Sequence, residues 1–106
     1  MDKNQKIQEM QMLEQNLQNL LLQKQAFQME LSETQAALKE LKKSGDEVFK
    51  IIGQLMIKTE KLEIEKELSE KEKLLELRTK TLEKQEVALT EKLDSLREEF
   101  MKSIKK

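Results

Sequence analysis

Apolar residues recur at the 3.5-residue spacing of a coiled coil along two long stretches of the chain, and lose that spacing in a short stretch between them. From about Lys3 to Lys43 a heptad can be written with a at Met10, Leu17, Lys24, Leu31 and Leu38. The d positions are then Leu13, Leu20, Phe27, Thr34 and Leu41. Eight of these ten positions are apolar over more than four heptads, which predicts a helix with one sticky seam. Lys24 at a reads first as a lysine whose stem packs while its ammonium reaches water. The alternative is a polar residue that specifies register or partner. Lys42 and Lys43 followed by Ser44-Gly45 make a helix ending, with cations in the last turn and glycine just beyond.

From about Glu60 onward leucine returns every seven residues, at Leu68, Leu75, Leu82, Leu89 and Leu96. With these at d, the a positions are Glu65, Glu72, Thr79, Glu86, Leu93 and Phe100. The seam is therefore continuous only toward its C-terminal part, and Glu72 and Glu86 predict a loose midsection. Ile64, Leu74 and Leu77 are expected to widen the apolar stripe. No glycine or proline interrupts this stretch, so it reads as one helix. Two helices of roughly 40 residues, each about 60 Å long, joined by a short insert, fold back as an antiparallel pair. Positions near 20 then face positions near 85, and both chain ends lie at the open end.

Residues 44–59 follow a different rule. Four of the chain's eight valines and isoleucines lie here with Phe49, around the chain's second and last glycine, Gly53. That composition predicts a β-hairpin turning at Gly53-Gln54, where glycine supplies the positive φ of a type II′ turn. Ile52 then pairs with Leu55, Ile51 with Met56 and Lys50 with Ile57. One face carries Val48, Ile52, Leu55 and Ile57 with Lys50 and Thr59. The other carries Phe49, Ile51 and Met56 with Lys58. Thr59 is placed to cap the second helix. Both faces are apolar, and the helices use their stripes on each other. A lone two-stranded hairpin is marginal in water and its edges invite pairing. Val48, Phe49, Ile51, Ile52, Gly53, Leu55, Met56 and Ile57 are therefore expected to form an oligomerisation element.

Composition removes most other chemistry. The 106 residues include no cysteine, histidine, proline, tryptophan or tyrosine. A disulfide framework, a thiolate nucleophile, an imidazole base and an ordinary zinc site are excluded. No catalytic, metal or cofactor-binding residue is assigned, and no glycine-rich phosphate cradle is present. Glutamate pairs arise by chance among 18 glutamates and lack a concave site to tune them. Charged residues make up 39%, with 20 basic against 21 acidic side chains and a net charge of -1. The balance also holds segment by segment, so there is no basic stripe for nucleic acid. No run approaches the roughly 20 apolar residues that span a bilayer, and the polar start lacks a secretory signal. The expectation is a soluble cytoplasmic protein without nucleic-acid or membrane partners.

The hairpin string Val48-Phe49-Lys50-Ile51-Ile52-Gly53-Gln54-Leu55-Met56-Ile57-Lys58-Thr59, set between two long helices, resembles the β-type subunits of the prefoldin family. The resemblance spans nearly the whole chain, and its single hairpin and length fit the β type. The short chain without tails suggests an archaeal member. The implied fold is mainly α, an antiparallel coiled coil joined by one β-hairpin that assembles into an intersubunit β-barrel. Its parts are a helix over 1–43, a hairpin over 44–59 and a helix over 60–106. The implied partners are two α-type and four β-type subunits in a hetero-hexamer, unfolded protein clients, and a group II chaperonin. The implied function is ATP-independent holding of unfolded chains at the coiled-coil tips. Candidate client-binding residues at the tip are Ile7, Met10, Met12, Leu13, Leu93, Leu96, Phe100, Met101 and Ile104. Ile7 and Met12 fall off the seam, and methionine adapts to irregular partners. The seam residues among them equally read as packing. The competing reading is a structural or adaptor coiled coil that dimerises lengthwise without holding clients.

Overall fold

The computed structural model describes residues 2–104. The outermost ends of the expected helical segments, Met1 and Lys105–Lys106, lie outside the described residues. Helix α1 runs Lys3–Lys43, strand β1 Glu47–Ile52, strand β2 Leu55–Glu60 and helix α2 Lys61–Ile104. The chain divides into two compact units, one built from Met1–Ala26 with Thr79–Lys106 and the other from Phe27–Arg78.

The seams are those of the heptads. Leu13, Leu20 and Leu41 of α1 and Leu75, Leu82, Leu93 and Leu96 of α2 are buried, and every other a or d position is buried or half-buried. Each buried leucine contributes on the order of 1.5–3 kcal/mol, whereas the exposed ion pairs on the flanks contribute about 0–1 kcal/mol each. The leucine stripe therefore decides which helix faces touch. Thr34 is accommodated at a buried d position because its hydroxyl donates to the Glu30 carbonyl one turn back, at 2.8 Å.

In the first unit the helices run antiparallel. Glu14 of α1 bonds Arg97 of α2 at 2.9 Å, and the later Lys24 bonds the earlier Glu86, also at 2.9 Å. Leu13, Leu93 and Leu96 form its core, with Met10, Leu17 and Leu89 packed around them. Of the two glutamates expected to loosen the midsection, Glu86 does not do so. Thr79 and Leu82 are buried, and the charge at Glu86 meets the opposite charge at Lys24. Lys24 accordingly does not snorkel free into water.

The second unit contains the hairpin and the helix segments that flank it. The strands pair antiparallel with Ile52 opposite Leu55, Ile51 opposite Met56 and Lys50 opposite Ile57. Gly53 has φ +60 and Gln54 does not share the positive sign, which matches a type II′ turn and excludes I′. Lys61 donates to the Ser44 carbonyl at 3.0 Å and Lys50 pairs with Glu67 at 2.9 Å, tying hairpin and α2 together. The Arg78 guanidinium lies 5.8 Å from the Phe27 ring centroid, and Lys71 bonds Glu30 at 3.0 Å.

Two local expectations are corrected. Leu74 and Leu77 do not widen the buried stripe; both are exposed because they fall at c and f of the heptad, pointing away from the seam. Ile64 alone of the three is half-buried. Thr59 does not stand at the start of α2; it pairs with Val48 in the ladder, and Glu60 precedes the helix.

Candidate functional site

The first candidate surface is the hairpin. Of its apolar side chains only Val48 is buried, at the end of the face that meets the helices. Phe49, Ile51, Ile52, Leu55, Met56 and Ile57 all lie open to solvent, Ile51 at 70% exposure. The face carrying Phe49, Ile51 and Met56 borders an open groove of about 570 Å³, whose other wall is Ala37, Leu41, Ile64 and Leu68. Each strand keeps one unpaired edge, because the sheet has two strands. A row of β-branched and aromatic side chains beside free backbone edges is poorly placed in water and well placed inside a larger sheet.

The second surface lies in the first unit, where the start of α1 meets the end of α2. Here α1 starts with an arrangement that hydrophobic periodicity does not reveal. The Asp2 carboxylate accepts from the Gln5 N–H at 2.8 Å, and the Gln5 side-chain carbonyl accepts from the Asp2 N–H at 3.2 Å. This is a capping box with Asp and Gln in the two roles, and the Asp-x-x-Gln spacing was its signal. The box fixes the first turn, and Ile7 follows directly after it. Ile7, Met10, Phe100 and Met101 line an open groove of about 350 Å³, bordered by Gln11 and by the Glu14–Arg97 pair. Arg97 also approaches Asp94 at 3.8 Å. Met12 at 65% exposure and Ile104 at 51% add apolar surface at the same end. Leu13, Leu93 and Leu96 belong to the seam core, not to this open surface, since they are packed on one another. Met10 and Phe100 are half-buried and belong to both.

Among the described residues, the electrostatic environment clearly shifts Lys24. The hydrogen bond that Lys24 donates to Glu86 holds its ammonium above the ordinary value of 10.5, against partial desolvation, with further help from the charges of Glu86 and Glu83. Among the described residues no cluster of three or more acidic side chains is arranged to hold a metal ion, and no helix is long and apolar enough to cross a membrane. Both surfaces can bind apolar groups, and the hairpin edges can in addition pair with other strands.

Comparison with known proteins agrees in detail. The profile of the family described as prefoldin subunit matches residues 4–106. The chain is similar to prefoldin subunit beta of Thermococcus onnurineus, 37% identical over 94 residues, covering 87% of this chain and 81% of that one. It is similar to prefoldin subunit beta of Saccharolobus islandicus at 35% identity over 98 residues, covering 91% of this chain and 78% of the relative. The crystal structure of the prefoldin beta subunit from Thermococcus strain KS-1 superposes with a TM-score of 0.87 at 36% identity, covering 95% of this chain and 90% of that chain. Two long helices around one hairpin, matched in sequence and fold over nearly the full length, place the chain in the prefoldin family of chaperones, among its β-type subunits.

Proposed function

We propose that this chain is a subunit of an ATP-independent holding chaperone. Its hairpin joins α-type prefoldin subunits and further β subunits in a hexamer of two α and four β chains. The tips capture unfolded proteins in the cytoplasm and pass them to a group II chaperonin. The observation that carries the reading is the division of apolar surface. The helices cover their stripes within one chain, while the hairpin and the tip leave theirs open. Ile7, Met12, Met101 and Ile104, with the groove walls Met10 and Phe100, take the client's apolar side chains. Leu13, Leu93 and Leu96 keep the two helices together beneath them. Phe49, Ile51, Ile52, Leu55, Met56 and Ile57 form the intersubunit contacts around Gly53, with Val48 anchoring the hairpin to its own helices.

A lengthwise adaptor dimer needs the same seam that α2 already occupies, so the intrachain ion pairs weigh against it. The test is to mix the purified chain with an α-type subunit and measure native mass and suppression of aggregation of a denatured client without nucleotide. A hexamer that holds the client is expected. Removing about ten residues from each end is expected to abolish holding and leave assembly intact. Loss of assembly on that truncation, or no association with any α-type subunit, contradicts the proposal.

A further inference from the structure

Lys24 is the one charged residue among the ten a and d positions of α1, and Glu86 occupies an a position of α2. The two meet through a 2.9 Å bond from Nζ to Oε1, with side chains only 21% and 28% exposed. They are 62 residues apart in the chain, so the contact exists only when the helices are antiparallel and in one register. We propose that this pair is a selectivity element: it holds α1 on an antiparallel α2 in a single register and rejects slipped and parallel coiled-coil pairings.

The physical argument is the cost of the alternatives. A slip of one heptad sets Lys24 against Thr79 and Glu86 against Leu17, leaving two charges in the seam without partners. A parallel pair of α1 helices from two chains sets Lys24 against Lys24 at the same a layer, and a parallel pair of α2 helices sets Glu86 against Glu86. The slipped and parallel pairings therefore each place an unpaired or like charge in the seam, while the native antiparallel register satisfies both. The leucines cannot supply this choice. A stripe with leucine every seven residues packs nearly as well after a seven-residue slip. A charged pair in a seam contributes little or nothing to stability compared with apolar residues of similar size, and specification of register is its best-attested role. The Glu14–Arg97 pair is a poorer candidate, because both side chains are about half exposed on the flank.

The test uses the full chain, which contains no cysteine, so cysteine pairs report geometry without background. A short bismaleimide is applied to two reporter pairs. Glu14→Cys with Arg97→Cys reads the native register, and Glu14→Cys with Thr90→Cys reads the one-heptad slip. Each is placed in the parent, in K24L/E86L and in the charge swap K24E/E86K. Light scattering and denaturing gels separate products within a chain from products between chains. In K24L/E86L the slipped and between-chain products are expected to rise at least about tenfold relative to the parent, with resistance to urea equal or greater. In K24E/E86K the parent pattern is expected to return. A K24L/E86L chain that keeps the parent's product ratios overturns the proposal, and so does a swap that behaves like the leucine pair. Because the swap restores opposite charges at the same two sites, a simple folding defect in one variant does not hide the outcome.

Discussion

Leu93 is 3% exposed in the seam core, whereas Met12 on the same unit is 65% exposed. Truncating the two has different consequences. Leu93→Ala is expected to lower stability by about 2–4 kcal/mol, and Met12→Ala by no more than about 0.5 kcal/mol. Urea denaturation monitored by helix content checks both, and equal losses would contradict the assignment of one to packing and the other to surface. Lys24 gives a second residue-level outcome. Its ammonium is held above the ordinary value, so its favourable contribution is complete below about pH 10.5 and disappears as pH rises through the folded-state value. The stability difference between the parent and Lys24→Met is therefore expected to shrink in alkali, as pH rises above the ordinary lysine value. A difference that stays constant or grows in alkali would show that the ion pair is not its source. The seam leucines were legible in the sequence because a seven-residue spacing reports a shared face directly. The partner of Lys24 was not, because Glu86 lies 62 positions away and each residue alone reads as a flaw in its own heptad. The Asp2–Gln5 box is local, but it lies outside the apolar heptad and so does not show in the periodicity.

The hairpin turn depends on one backbone position. Gly53 has φ +60, where an L side chain is strained even though a methyl group would meet no neighbour. Gly53→Ala is expected to destabilise the hairpin by about 1 kcal/mol. Gly45 has neither a positive φ nor a crowded Cβ position, so Gly45→Ala is expected to be neutral or mildly stabilising, by up to about 0.5–1 kcal/mol. Amide exchange across β1 and β2 reads the difference, and equal effects at the two glycines would remove the turn argument. The hairpin's register followed from the sequence because a two-residue turn fixes every pair behind it. The start of α2 did not. Thr59 has the chemistry of a cap, but the strand ladder extends to Glu47 and Glu60 and holds it in extended backbone. Leu74 and Leu77 misled for a similar reason. Leucine favours helices wherever it sits, and only its heptad position decides whether it is covered.

For the molecule as a whole, the two open apolar surfaces carry separate expectations. Ile51→Lys with Met56→Lys places charges on the hairpin face that borders the open groove and is expected to block joining to other subunits while leaving the coiled coil folded, as read by native mass and circular dichroism. Assembly of that variant at the parent's concentration would show that the hairpin is not the joining surface. The two-helix, one-hairpin fold was readable from periodicity and a glycine. The family was readable only from the hairpin string as a whole, because heptads are common to every coiled coil. Which tip residues face a client was not readable, since Leu13 and Met12 look alike until the seam is seen to bury one and leave the other open. The most direct measurement is light scattering of a denatured client without nucleotide, in the presence of the assembled complex carrying either the parent chain or the variant with Ile7, Met12 and Met101 all changed to Ser. The parent complex is expected to suppress aggregation, and the variant complex, of unchanged native mass, to lose most of that suppression. Full suppression by the variant, or none by the parent, would contradict capture at the tips.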